Sequence, residues 1–122
     1  MTQRTKDLGV NGENLAAQYL EANGWRILER NFRIRRAEID LIAEREGMIV
    51  FVEVKTRLSN KFGRPAEAVD ERKQRKIIMA AGVFMQRAEF AQCTCRFDVM
   101  EVFKLNGEWQ LNQIENAFEV NG

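Results

Sequence analysis

No histidine occurs among the 122 residues, and there are only one proline and two cysteines. The missing histidine excludes the most chemistry. Ser-His-Asp and Cys-His nucleophilic systems are unavailable, as are zinc hydrolases and nucleases built on a histidine ligand or base. Cys93 and Cys95 lie too close together for an ordinary disulfide. Without histidine or a second cysteine pair they do not complete a four-ligand zinc site, and they read as small buried residues near the start of a strand. No apolar run approaches the roughly 18 residues of a membrane span. The polar segment from Met1 to Gly9 lacks the apolar centre of a signal peptide. A cytoplasmic protein without a membrane partner is therefore expected. Its chemistry must run on carboxylates, lysine, hydroxyls or a metal bound through oxygen.

Hydrophobic residues make up 45% and charged residues 30%, the balance of one globular domain over residues 1–122. The net charge of +1 does not argue for nucleic acid, but its distribution does more. Thirteen of the 19 lysines and arginines fall within residues 26–36 and 54–76. Such clustering suits a phosphate-binding face, and equally suits solvated loop and helix charges.

The hydrophobic spacing predicts the order αβββαββ. A helix is expected over residues 12–23, with Asn11 as N-cap and Gly24 as C-terminal cap. Strands follow at 25–32, 38–43 and 48–56, the last two joined by a hairpin through Gly47. After a polar loop from Leu58 to Pro65, a second helix starts between Pro65 and Asp70 and buries a stripe of Ile77, Ala81, Phe84, Met85 and Ala88. Strands at 95–104 and 108–114 flank Asn106-Gly107. A crossover helix between the third and fourth strands implies a mixed sheet with helices packed on it, an α/β fold.

The third strand reads Met-Ile-Val-Phe-Val-Glu-Val-Lys. Alternation places Ile49, Phe51, Glu53 and Lys55 on one face. Two ions on a core strand cost free energy unless something compensates them. If paired residue numbers across the hairpin sum to an odd number near 91 or 93, Glu38 and Asp40 share that face. Directly opposite Cβ atoms would then be about 4.5–5.5 Å apart. A divalent cation relieves the repulsion of clustered carboxylates. Magnesium takes one or two carboxylates together with water and a phosphate oxygen, acidifies water and neutralises phosphate charge. A neighbouring lysine then orients or deprotonates water. The competing explanation of the same residues is a cross-strand salt bridge on a solvated face.

The segments Gly9 to Glu13, Glu38 to Ile42 (Glu-Ile-Asp-Leu-Ile) and Phe51 to Arg57 (Phe-Val-Glu-Val-Lys-Thr-Arg) resemble the bacterial YraN-like family. Lys73, Arg96-Phe97-Asp98 and Asn116-Ala117-Phe118 extend the resemblance over nearly the whole chain. The central motifs are similar to those of archaeal Holliday-junction resolvases and, more distantly, restriction endonucleases. The resemblance implies a restriction-endonuclease-like core of about five strands and a nuclease cutting DNA, branched or junction DNA included, with Mg²⁺ or Mn²⁺. It implies Asp40 and Glu53 as metal ligands, with the Val54 carbonyl and Glu13 joining them. Lys55 matches the catalytic lysine. An acid in the first turn of a helix explains Glu13 equally well. Glu38 suits a supporting role, and Gln74 suits a solvated helix face better than an extension of the site from the second helix. Arg33, Arg35, Arg36, Arg57, Arg64 and Lys73 are the candidate phosphate contacts. Ala37 stands where the family usually has glycine.

Junction-acting relatives are dimers, so a homodimer is the expected assembly. Two other functions compete with the nuclease: a nucleic-acid-binding module of the same fold without turnover, and an interaction protein without a nucleic-acid partner. Salt-dependent DNA binding separates the last from the others, and metal-dependent cleavage separates the first from the second.

Overall fold

Five strands lie side by side in sequence order, β1 (Arg26–Ile34), β2 (Ala37–Arg45), β3 (Met48–Arg57), β4 (Thr94–Leu105) and β5 (Glu108–Phe118). All neighbours are antiparallel except β3 and β4, which run parallel. Helix α1 (Thr2–Ala22) covers one face and α2 (Glu71–Met85) the other. The computed structural model describes residues 2–57 and 69–119, with side chains from Gly12 onward. The order αβββαββ and the mixed sheet agree with the expectation from sequence. Among the described residues no helix is long and apolar enough to cross a membrane.

Local chemistry accounts for the turns. Helix α1 ends where Gly24 takes φ +86°. The Trp25 N–H donates to the Leu20 carbonyl and the Gly24 N–H to the Glu21 carbonyl, a Schellman arrangement that satisfies two otherwise unpaired carbonyls. At the β2–β3 hairpin, Glu46 (φ 51°) and Gly47 (φ 78°) form a two-residue loop between the paired Arg45 and Met48. Asn106 (51°) and Gly107 (79°) repeat this at β4–β5. Two consecutive positive φ values match the right-handed twist of the flanking strands.

Two cores result. On the α1 face, Ala16, Ala17 and Leu20 pack on Leu41, Val50, Val52 and Met100. On the α2 face, Ile77, Ala81 and Phe84 pack on Ile42, Ile49, Phe51 and Phe97. Phe84 is fully buried and meets Phe32 and Phe51 edge-on, at 5.4 and 5.9 Å, and stacks on Phe90 at 5.0 Å. Truncating such a residue costs about 3–5 kcal/mol. That packing fixes which face of α2 looks at the sheet.

Four expectations need correction. Asn11 is not an N-cap, and Glu13 is not in a helix first turn, because α1 continues back to Thr2; the first turns are polar and offer no apolar period to read. Ala88 is exposed, since α2 ends at Met85 and a short 3-10 turn (Ala88–Phe90) buries Phe90 in its place. Cys95 is exposed and Cys93 half-buried, so only Cys93 touches the core; both are free thiols.

Candidate active site

The β2–β3 ladder runs from Arg45–Met48 to Leu41–Val52, so its paired numbers sum to 93. Beyond that pair β3 continues to Arg57 against β4 alone. The parting of the two strands leaves the Val54 N–H without a carbonyl from β2. Asp40 accepts it instead, Oδ2 lying 2.8 Å from the nitrogen. Strand β2 is irregular at this point. Ile39 belongs to the α2-side core and Leu41 to the α1-side core, which a strictly alternating strand does not allow. Asn31, facing Asp40 between the pairs Arg30–Leu41 and Phe32–Ile39, takes φ 52°. The aspartate therefore stands at a gap in the sheet, within reach of both faces.

Glu53 follows Val52 of the α1-side core, turns to the α2 side and is 6% exposed. Lys73 of α2 reaches it with Nζ 2.7 Å from Oε1, and Lys55 Nζ lies 3.9 Å from the same oxygen. Burial, followed by the charges of Glu53 and Glu13, pushes the Asp40 carboxyl up to about 7; the Val54 N–H and Lys73 oppose the rise. Burial and the neighbouring Lys73 lower the pKa of Lys55. Burial also pulls on Lys73, but its bond to Glu53 and that residue's charge outweigh it, and its pKa is raised.

Glu13 approaches from α1. Its carboxylate accepts from Asn31 Nδ2 at 2.9 Å, and it is close enough to raise the Asp40 pKa. Gly12 makes this approach possible. A Cβ there would overlap Thr56 Oγ1 and lie 3.2 Å from Thr56 Cβ, an atom fixed to the β3 backbone. The second glycine of the Gly-x-x-Gly-Glu segment thus serves close helix–strand packing.

Asp40 and Glu53 form the floor of a cleft of about 630 Å³ whose rim carries Arg36, Arg72, Lys73 and Lys76. Arg35 lies on a shallower hollow beside it, at the exposed β1–β2 turn. Arg33 pairs with Glu38 at 2.6 Å. Arg57 turns to Glu101, with Nε 2.8 Å from Oε2. Gln74 donates to the Val69 carbonyl at 2.8 Å and does not line the cleft. Arg64 lies outside the described residues. Ala37 lacks a positive φ, so the usual glycine is not required there by backbone conformation.

The Arg96-Phe97-Asp98 and Asn116-Ala117-Phe118 segments have a different task. Asp98, 1% exposed, accepts from Arg96 Nε and Nη2, Gln113 Nε2 and the Asn116 N–H, all at 2.8–2.9 Å. This closes the β4–β5 pairing where its register shifts. Sequence reasoning missed Glu101, 3% exposed and opposite Lys55 in the ladder. The signal was there, because an acid in Val-Met-Glu-Val-Phe is as anomalous as Glu53 in β3.

Among the described residues no three His, Cys, Asp or Glu side chains form a ready-made metal cage. Asp40 and Glu53 are instead a two-carboxylate set, the number magnesium commonly takes from protein, and the Asp40 pKa is raised by burial first and by the charge of Glu53 second. The donor chemistry of the pair fits a hard divalent cation.

A family profile described as "Uncharacterised protein family UPF0102" matches residues 12–102. A UPF0102 protein of Caldanaerobacter subterraneus subsp. tengcongensis is 50% identical over 117 residues, which cover 93% of this chain and 95% of the relative. One from Clostridium botulinum (strain Loch Maree / Type A3) is 45% identical over 118 residues, 94% and 96% of the two chains. One from Chlorobium phaeobacteroides is 42% identical over 118 residues, 92% and 93%. The match runs from the helix that carries Glu13 into β4, and the chain belongs to the UPF0102 (YraN) family.

Proposed function

We propose that the chain is a metal-dependent nuclease hydrolysing phosphodiester bonds of DNA, with branched or junction DNA as the leading substrate class. One observation carries the reading: two mutually repelling carboxylates, Glu53 buried and Asp40 half-buried, lie at the floor of a cleft whose basic rim includes Lys73, with Lys55 beside Glu53 but outside the cleft lining. A module that only bound phosphate would gain nothing from carboxylates at that point.

Asp40 and Glu53 would hold Mg²⁺ or Mn²⁺, helped by the Val54 carbonyl and Glu13. The cation supplies Lewis acidity and makes water a stronger acid. Lys55, with its pKa lowered by burial and Lys73, is suited to accept a proton from the attacking water or to orient it. Arg36, Arg72 and Lys76 on the rim are placed to hold the flanking phosphates, Arg35 extending the track. Glu13, held by Asn31, orients its neighbours from the opposite face. A homodimer is the assembly that a two-fold junction would call for.

Linear, flapped and four-way DNA should be incubated with the protein, with and without Mg²⁺ or Mn²⁺. Cleavage is expected only with metal, and Glu53→Gln or Lys55→Met should slow it by roughly a hundredfold or more. Salt-sensitive binding without cleavage under any condition would leave the binding module of the same fold. That second reading has support in the metal-free neutralisation of Glu53 by Lys73.

A further inference from the structure

Glu53 already has a cation. The Lys73 ammonium is 2.7 Å from Oε1, against 3.9 Å for Lys55. The two partners differ in exposure: the Glu53 side chain is 7% accessible and that of Lys73 41%. A carboxylate without access to water needs a positive partner at all times, whereas a half-exposed ammonium can leave for solvent. The stem of Lys73 is anchored at the start of α2, where its N–H donates to Asp70 Oδ1 at 2.8 Å. Ile77, one turn later, is buried in the α2-side core and holds this face against the sheet. From that anchor the four-carbon chain is free to swing.

We infer that Lys73 is the resident counter-ion of Glu53 and the competitor that a divalent cation must displace from it. The inference rests on the reading of Asp40 and Glu53 as a metal site. The ammonium and the cation contend for one oxygen, so metal affinity reflects the difference between the two. Removing the ammonium leaves Glu53 under-compensated in the metal-free protein and strengthens its hold on a divalent ion. Lys73 acts through Glu53 and is a positioning residue.

Mn²⁺ alone, without nucleic acid, should be titrated into the parent, Lys73→Met, Lys73→Arg and Glu53→Gln, with bound metal followed by electron paramagnetic resonance. Lys73→Met is expected to bind about tenfold more tightly, the equivalent of one charge-assisted hydrogen bond. Lys73→Arg keeps a cation in place and should match the parent, and Glu53→Gln should lose the site. A lysine that merely stabilised the helix would not move metal affinity in this pattern. If Glu53→Gln abolishes binding while Lys73→Met binds no more tightly than the parent, the counter-ion inference falls and the metal site stands. If neither parent nor Lys73→Met binds Mn²⁺, both fall. Lys73→Gln carries the same test should the methionine variant fail to fold.

Discussion

Replacing Asp40 by asparagine separates a catalytic carboxylate from a structural one. The amide oxygen introduced by Asp40→Asn can still accept from the Val54 N–H, so shape and the key hydrogen bond survive while one negative charge goes. The carboxyl rises from 3.8 to about 7 in the fold, the equivalent of at most ~4 kcal/mol. The folded protein therefore holds this proton to higher pH than the unfolded chain does. The contribution to stability is complete below about pH 4 and is lost as pH rises through about 7. Above that, the ionised carboxylate strains the metal-free protein. Water and side-chain relaxation reduce the ceiling, and the neutral amide is a weaker acceptor, so the net gain of Asp40→Asn at pH 8 should be about 1–2 kcal/mol, a rise of several degrees in Tm. Near pH 4 the gain should vanish. Thermal melts of both proteins at the two pH values, in EDTA and in excess Mn²⁺, read this directly. The parent should gain about 2.7 kcal/mol from metal at a hundred times its Kd, and the variant should lose that response. A lower Tm for Asp40→Asn at pH 8, with the same metal response as the parent, would refute the reasoning and make Asp40 a salt-bridge partner.

Gly12→Ala should destabilise despite the roughly 1 kcal/mol that alanine gains in helix propensity, because overlap with Thr56 costs about 1–3 kcal/mol. Thr56→Ala in the same chain should restore part of the loss, as a double-mutant cycle by urea denaturation will measure. Asp98→Ala removes the buried acceptor of half-buried Arg96, which keeps only Glu115 at 3.8 Å, and of two further donors. It should cost about 3–5 kcal/mol in the same denaturation assay, while the Mn²⁺ affinity of the folded fraction stays unchanged.

Much of the fold could be read from local signals. Gly47 and Asn106-Gly107 mark tight hairpins because glycine, and asparagine more than most residues, tolerate positive φ; that Glu46 also takes φ 51° and the first loop shrinks to two residues is not legible in the sequence. The β3 run announces a central strand, and the odd-sum register holds as far as Leu41–Val52, which leaves Asp40 and Glu53 next beyond its last pair. Alternation was an incomplete guide to how this happens. Ile39 and Leu41 point into different cores, and the switch lies opposite Asn31 at φ 52° in the neighbouring strand, which no pattern within β2 reveals. The polar first turns of α1 carry no period. Lys73 could be read as a basic residue near a phosphate face, but its contact with Glu53 depends on how Phe84 seats α2. Glu101 shows the same sequence anomaly as Glu53. It is answered by Arg57, two residues beyond Lys55, a partnership that only the parallel β3–β4 register reveals.

That contrast separates the two buried glutamates. Glu101 has one arginine against it, the arrangement of a structural ion pair. Glu53 has two lysines at unequal distance and an aspartate whose proton it helps retain. Fold stability alone does not call for the second arrangement, because an amide at position 40 would satisfy the Val54 N–H without adding a charge. An aspartate there costs free energy that an asparagine avoids, and such a cost is expected where function supplies the compensation. The orphan N–H arises only because β2 and β3 part after Leu41–Val52. The same parting opens the sheet to Glu13 on one side and Lys73 on the other. One break in a ladder thus makes the acceptor necessary, brings acids from both faces towards one point and leaves that point open to a cleft.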